Sequence, residues 1–213
     1  MKDNVLKIYE ILKKYYGHQK TALSFKSPFE LLVAVILSAQ CTDKRVNQIT
    51  PELFKKYPDA GKMAKAYIAD LEGLIRSAGF YKNKAKNIKG ASEAIMKEYG
   101  GKVPSTMKEL LVLPGVARKT ANVVLYSAYG VIEGVAVDTH VKRLSQRLGF
   151  SKNKTPEKIE KDLMAIFPKE EWGEITFILI THGRNICKSK SPQCPKCPVN
   201  DLCPSAAVSG KKS

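Results

Sequence analysis

The sequence predicts an all-α protein. Apolar residues recur at helical spacing along most of the chain, and glycine or proline marks most of the joints. No segment alternates long enough to suggest a sheet. In the opening stretch MKDNVLKIYEILKKYYG, Val5, Ile8, Leu12 and Tyr15 form one stripe. PFELLVAVILSAQ, residues 28–40, begins with proline and has almost no polar face, so it reads as a buried helix. Further helices are predicted at 43–57, 70–77, 83–98, 106–112, 117–129, 139–148, 156–166 and 171–185. Gly79, Gly100, Gly101, Pro114, Gly130 and Pro168 punctuate them. There is no internal repeat and no low-complexity segment, and the closing VSGKKS is expected to fray.

With 213 residues the chain can bury a core as one domain or two small ones, without disulfides. Its 36 Lys and Arg against 20 Asp and Glu give a formal charge of +16. Such an excess favours a polyanionic partner, since each neutralised phosphate releases condensed counterions. No apolar run approaches the roughly 18 residues that span a bilayer. The N-terminal stretch has no small-residue cleavage site, so it does not read as a secretory signal. The expectation is an intracellular, cytoplasmic protein with reduced thiols.

The stretch LPGVARKTANVV, residues 113–124, reads as a tight turn running straight into a helix. Helix-start N–H groups lack intrahelical partners and carry partial positive charge, and a glycine lets the backbone approach a phosphate. That is the logic of a helix-hairpin-helix, although an ordinary helical corner uses the same residues. In helical phase Ala117, Ala121, Val124 and Ala128 share an apolar face. Lys119 falls almost opposite, with Asn122 and Tyr126 near it. Lys119 therefore reads either as a phosphate contact on a solvated face or as an amine nucleophile able to form a Schiff base. Asp138 in VAVDTHVKRLSQRL stands where an N-cap belongs, before the stripe of Val141, Leu144 and Leu148. A capping carboxylate can also stabilise a cationic transition state. His140 reads as a structural histidine.

Cys187, Cys194, Cys197 and Cys203 have the spacing C-x6-C-x2-C-x5-C. Four thiols this close in an intracellular protein indicate a metal site, and the spacing alone admits zinc or iron–sulfur. Prolines 192, 195, 198 and 204 keep the segment out of an α-helix, so that it can wrap around a centre. Cys41, in LSAQCTD, stands apart and reads as a small apolar residue.

Taken in order, SPFELLVAVILSAQCTD, LPGVARKTANVV, VAVDTH and the cysteine tail resemble endonuclease III over nearly the whole chain. The resemblance implies a monomeric DNA glycosylase with apurinic/apyrimidinic lyase activity on oxidised pyrimidines in damaged double-stranded DNA. It implies two helical domains flanking a DNA-binding cleft: a six-helix domain over 22–132, and a second that joins 1–21 to 133–213. The second domain would carry a 4Fe-4S cluster on Cys187, Cys194, Cys197 and Cys203. Lys119 would be the nucleophile and Asp138 its carboxylate partner. Gln40 matches the family residue that fills the gap left by an extruded nucleotide, and Phe80 stands where the family commonly has a leucine wedge. Leu113, Gly115, Ala117 and Arg118 of the hairpin, with Lys190 of the cysteine loop, would contact DNA. Ala117 departs from the family, which usually has glycine there. An adenine-mismatch glycosylase fits poorly, because its catalytic glutamate would fall on Val35. A non-enzymatic zinc-stabilised DNA-binding protein would explain charge, hairpin and cysteines, but would leave Lys119 and Asp138 without a joint purpose.

Overall fold

The computed structural model describes residues 2–206, with side chains from residue 3 onward, and every regular element among them is helical. The closing VSGKKS lies outside these residues. The chain divides into two compact units, Thr21–Val131 and the combination of Met1–Lys20 with Ile132–Ser213. The two-part unit holds α1 (Lys2–Tyr16), α9 (Thr139–Arg147), α10 (Pro156–Ile166) and α11 (Trp172–Asn185). The continuous unit holds α2 (Pro28–Leu37), α3 (Asp43–Lys56), α4 (Ala60–Ala64) and α5 (Ile68–Ile75). It also holds α6 (Tyr81–Tyr99), α7 (Met107–Leu110) and α8 (Arg118–Tyr129). No helix among the described residues is long and apolar enough to cross a membrane.

Within the continuous unit, α2 packs against α3, α6 and α8. The Ser27 hydroxyl accepts a hydrogen bond from the Glu30 amide at 3.2 Å, and Pro28 occupies the first turn, so local chemistry fixes where α2 starts. Phe29 and Leu31 through Leu37 are all buried, and α3, α6 and α8 pack against them. The helix stops three residues before the predicted end at residue 40. Ser38 caps it, and Gln40 takes a left-handed conformation (φ 52°) that a helix cannot continue. The sequence pattern missed α4, which packs along α6. It is only five residues long, too short to show a period, and Asp59 caps it with a 2.8 Å bond from the Lys62 amide.

The two-part unit buries Val5, Ile8, Tyr9 and Leu12 of α1 against Leu144, Leu163, Ile175 and Ile178. Tyr15, predicted to share that stripe, is 58% exposed. The buried face runs through Tyr9 and Tyr16 instead, with Tyr16 taking the contact with His182 in the last turn of α1. The Tyr9 ring packs edge-on to Phe167 with centroids 5.0 Å apart. Its hydroxyl donates to Glu171 Oε2 at 2.5 Å, and Lys13 Nζ donates to Oε1 at 2.5 Å. Burial, then Glu171, pushes the Tyr9 hydroxyl well above the usual phenol range, so it stays a donor. Burial works against the Glu171 carboxylate, yet bonds from Lys13 and Tyr9 hold its pKa below the ordinary range.

Tyr9→Phe keeps the ring and deletes the donor to a charged acceptor. The expected loss is about 1.5–3 kcal/mol at neutral pH, the range for hydrogen bonds to charged groups. Glu171 has a depressed folded-state pKa, so its contribution is present above its unfolded pKa and disappears as pH falls through the folded value. The gap between Tyr9→Phe and wild type should therefore narrow in acid, as checked by urea denaturation at pH 7 and pH 3.

Candidate active site

The turn between α7 and α8 is built around Gly115. Its φ is +78°, and a Cβ added there would meet the Asn87 side chain at 2.8 Å, so a glycine is needed for conformation and for space. The Leu113 side chain is buried (2% exposed), which leaves its backbone as the part able to meet a ligand. The Val116 amide bonds back to Leu113 O at 3.1 Å and closes the turn. Ala117 is the N-cap of α8, at φ −93° and ψ 169°, an extended conformation open to any residue. Alanine in place of the family's usual glycine is therefore unstrained. Its methyl group offers no acceptor to the first-turn amides, and the first turn of α8 holds no acidic residue.

Lys119 is exposed in that first turn, as are Arg118, Ala117 and Gly115. The centre of α8 is buried on more sides than the apolar stripe suggested. Asn122, expected beside Lys119, is only 4% exposed, because Val123 and Leu125 are buried along with Ala121 and Val124. Gln40 and Phe80, in the same unit, are both exposed and both left-handed, at φ 52° and φ 48°. Phe80 is the N-cap of α6 and, like Ala117, makes no side-chain cap bond.

Asp138 belongs to the two-part unit. Its Oδ1 accepts from the Val141 amide at 2.8 Å, so it is the N-cap of α9. That bond engages one of the two carboxylate oxygens, and the charge of Asp138 acts on Arg143 of the same helix. The extended segment leading to it is fixed by a residue that sequence reading missed. Thr176 Oγ1, in α11, accepts from Ala136 N at 3.1 Å and donates to Ala136 O at 3.3 Å. A threonine inside a helical pattern carries no mark of such a distant latch. His140 Nδ1 lies 3.2 Å from Arg143 Nη2, in keeping with a structural histidine.

The four cysteines of the tail come together. Cys187, Cys194, Cys197 and Cys203 are free thiols lining one cavity of about 20 Å³, with Leu148, His182 and Ile186. Short 3-10 turns at Cys194–Lys196 and Asn200–Leu202 wrap the chain around it. Among the described residues no group of three or more His, Cys, Asp or Glu converges as ligands of a single ion would. Arg147 Nη1 sits 3.5 Å from Cys187 Sγ and donates to Lys188 O at 2.7 Å, while Nη2 donates to Ser189 O at 3.0 Å. His182 is fully buried, which lowers its pKa to about 4 and keeps it neutral. Its Nε2 lies 3.6 Å from Cys197 Sγ, and Tyr16 Oη is 2.8 Å from Nδ1. Burial pushes the Cys197 and Cys203 thiols up, and the neighbouring cysteines add to the effect. Lys188, Lys190 and Lys196 are exposed on this loop, whereas Cys41 is half-buried in the other unit.

Residues 33–169 match the HhH-GPD superfamily base excision DNA repair protein family. The chain is 52% identical over 208 residues to endonuclease III of Synechocystis sp., covering 98% of this chain and 95% of that protein. The chain belongs to the endonuclease III family. Two solved endonuclease III structures share its fold. One, a trapped covalent endonuclease III–DNA intermediate, has a TM-score of 0.93 at 44% identity over 98% of each chain. The other, a non-covalent endonuclease III–DNA complex, has a TM-score of 0.95 at 43% identity, covering 100% of this chain and 99% of that one. The superfamily match ends before the cysteines, but the near-complete alignment with the Synechocystis endonuclease III takes in the cysteine tail.

Gly115→Ala should destabilise the hairpin on two counts. Left-handed φ costs an L-residue about 1–2 kcal/mol, and the new methyl group also meets Asn87. Adding Asn87→Ala should recover only a part of the loss, because it removes the amide group but keeps the Asn87 Cβ, the nearest atom at 2.8 Å. Thermal melts of the single and double variants check this, and full recovery in the double variant would overturn both costs.

Proposed function

We propose that this chain is a base-excision-repair DNA glycosylase with AP lyase activity, acting on oxidised pyrimidines in double-stranded DNA. The observation that carries the reading is an exposed lysine just behind a left-handed glycine turn. It occurs in a chain 44% identical to an endonuclease III solved as a covalent intermediate with DNA. A covalent intermediate needs a nucleophile, and Lys119 is the amine that this turn presents.

The chemistry follows from that assignment. A damaged base stacks weakly, so extruding its nucleotide costs less than extruding an intact one. The neutral Lys119 amine attacks C1′, forming a C–N bond as the bond to the base breaks. The electron pair leaves with the base, which takes up a proton. Opening of the sugar gives a protonated Schiff base, which acidifies the C2′ proton. Loss of that proton expels the 3′ phosphate oxygen and cuts the strand on its 3′ side. Water then hydrolyses the imine and returns the amine. Asp138, with one oxygen engaged in capping, has a second oxygen whose negative charge can stabilise the cationic sugar. Backbone amides at Gly115, Ala117 and Arg118 hold phosphate without reading sequence, as the +16 charge favours.

The same reading assigns Cys187, Cys194, Cys197 and Cys203 to a 4Fe-4S cluster. Four free thiols lining one cavity fit a thiolate-held group, and it is the likeness to endonuclease III that favours iron–sulfur over zinc. When bound, the cluster would supply a covalent junction for the loop and one-electron chemistry at its irons. The chain's own contribution is to present Lys188, Lys190 and Lys196 to the DNA backbone. Purified protein should be yellow-brown and contain iron and sulfide, and Cys41→Ala should retain both. Stoichiometric zinc without iron in anaerobically prepared protein would refute the cluster.

Lys119→Gln should bind abasic-site duplex yet form no borohydride-trapped adduct and cut no strand. Asp138→Asn should keep its melting temperature, because asparagine caps nearly as well as aspartate. Its single-turnover base release should fall on the order of 10²–10⁴-fold, the range for removing a group used in the transition state. Adduct formation by Lys119→Gln would move the nucleophile to another amine, and normal turnover by Asp138→Asn would reduce Asp138 to a helix cap.

A further inference from the structure

Lys84, in the first turns of α6, is buried to 4% exposure although the chain's lysines mostly face solvent. A lysine is almost never fully buried unless paired, and among the described residues no carboxylate pairs with this one. Its Nζ donates to the carbonyl of Ala78 at 2.8 Å, and its backbone amide bonds Phe80 O at 3.1 Å. Burial lowers its pKa, opposed only by the nearby Cys41. The Lys84 side chain therefore ties the start of α6 to the corner at Ala78–Phe80.

That corner is strained where it reaches solvent. Gly79 has a positive φ (69°) that suits glycine, and Phe80 after it is left-handed (φ 48°). A phenylalanine in the left-handed region persists only where its surroundings over-determine it, and such strain clusters at functional sites. Phe80 gains no compensation from burial, since it is 64% exposed. Nor does it cap α6 with its side chain. The grip on its corner comes instead from the Lys84 side chain on one side of Gly79–Phe80 and the Lys84 amide on the other.

We propose that Lys84 is a positioning residue for base extrusion: its buried ammonium clamps Ala78 O and holds the Gly79–Phe80 corner, so that the Phe80 ring is pre-set to enter the duplex. This rests on the assignment of Phe80 as the group that enters DNA. A pre-set ring loses little freedom on insertion, whereas a loose corner must be ordered during extrusion. A buried cation without an ion pair works against folding, and its retention is explained when the geometry it imposes is used.

The test compares wild type, Lys84→Met, Phe80→Ala and the double variant. Extrusion is followed by stopped-flow fluorescence of 2-aminopurine opposite a tetrahydrofuran abasic analogue. Lys84→Met should slow extrusion about tenfold, the equivalent of one charge-assisted hydrogen bond. Its melting temperature should hold or rise, because methionine removes a buried charge while filling the same stem. Borohydride trapping on a single-stranded abasic oligonucleotide, which needs no extrusion, should be unchanged. In the Phe80→Ala background, Lys84→Met should add no further loss. Additive losses, or equal losses on single-stranded and duplex DNA, would overturn the clamp. If Lys84→Met does not fold, Lys84→Gln keeps an N–H donor on a shorter stem. A smaller loss confined to duplex supports the proposal, and an unselective one refutes it. Absence of trapping by wild type would sink the proposed function instead, while the extrusion rates, which need no chemistry, would still decide the role of Lys84.

Discussion

The first amides of a helix point along its axis with no carbonyl of their own helix to meet, and something must accept from them. In this chain Ser27, Thr42, Asp59, Thr106 and Asp138 meet that demand with side chains at the starts of α2, α3, α4, α7 and α9. The helices that begin at the candidate DNA-contacting residues, α6 and α8, start on Phe80 and Ala117, which have no acceptor to offer. A side-chain cap is also missing at α5, α10 and α11. Under the proposed function, a phosphate would accept from the first amides of α8, beside Lys119.

Such termini and the corners before them cost stability that the rest of the unit must offset. The buried length of α2, with α3, α6 and α8 packed on it, supplies a rigid base for Gly115, Gln40 and Phe80. Loops carrying left-handed residues hold a defined geometry only on a scaffold with little freedom of its own. In the other unit the Thr176 latch does the corresponding task, fixing the extended segment that delivers Asp138 to the start of α9.

What was legible in the sequence was whatever repeats or has a local cause. The α2 run, the proline and glycine joints and the four-cysteine spacing all depend on near neighbours, and the helical class and the gathering of the cysteines followed from them. The aspect of Lys119 was legible too, since helical phase alone turns it outward. What escaped depends on distant partners or on short segments. The α4 helix has too few residues to show a period. Tyr15 and Asn122 were misassigned because a helical wheel cannot say which neighbours arrive. Lys84 and Thr176 looked like ordinary polar residues of amphipathic helices, and only tertiary contacts reveal what they hold. The unstrained Ala117 could not be read from residue type, because φ is decided by the whole turn.

One unit is assembled from both ends of the chain, and this bears on the order of events during synthesis. Residues 21–131 are contiguous, so that unit can close while the remainder is still being made. The apolar face of α1, with Val5, Ile8, Tyr9 and Leu12, finds its partners only when α9 to α11 emerge from the ribosome. At translation rates of about 5–20 residues per second, that face waits on the order of ten seconds. The cysteine cavity follows later still, since Cys194, Cys197 and Cys203 come after α11. The apolar face of α1 is thus the segment of the two-part unit that stays without its partners longest.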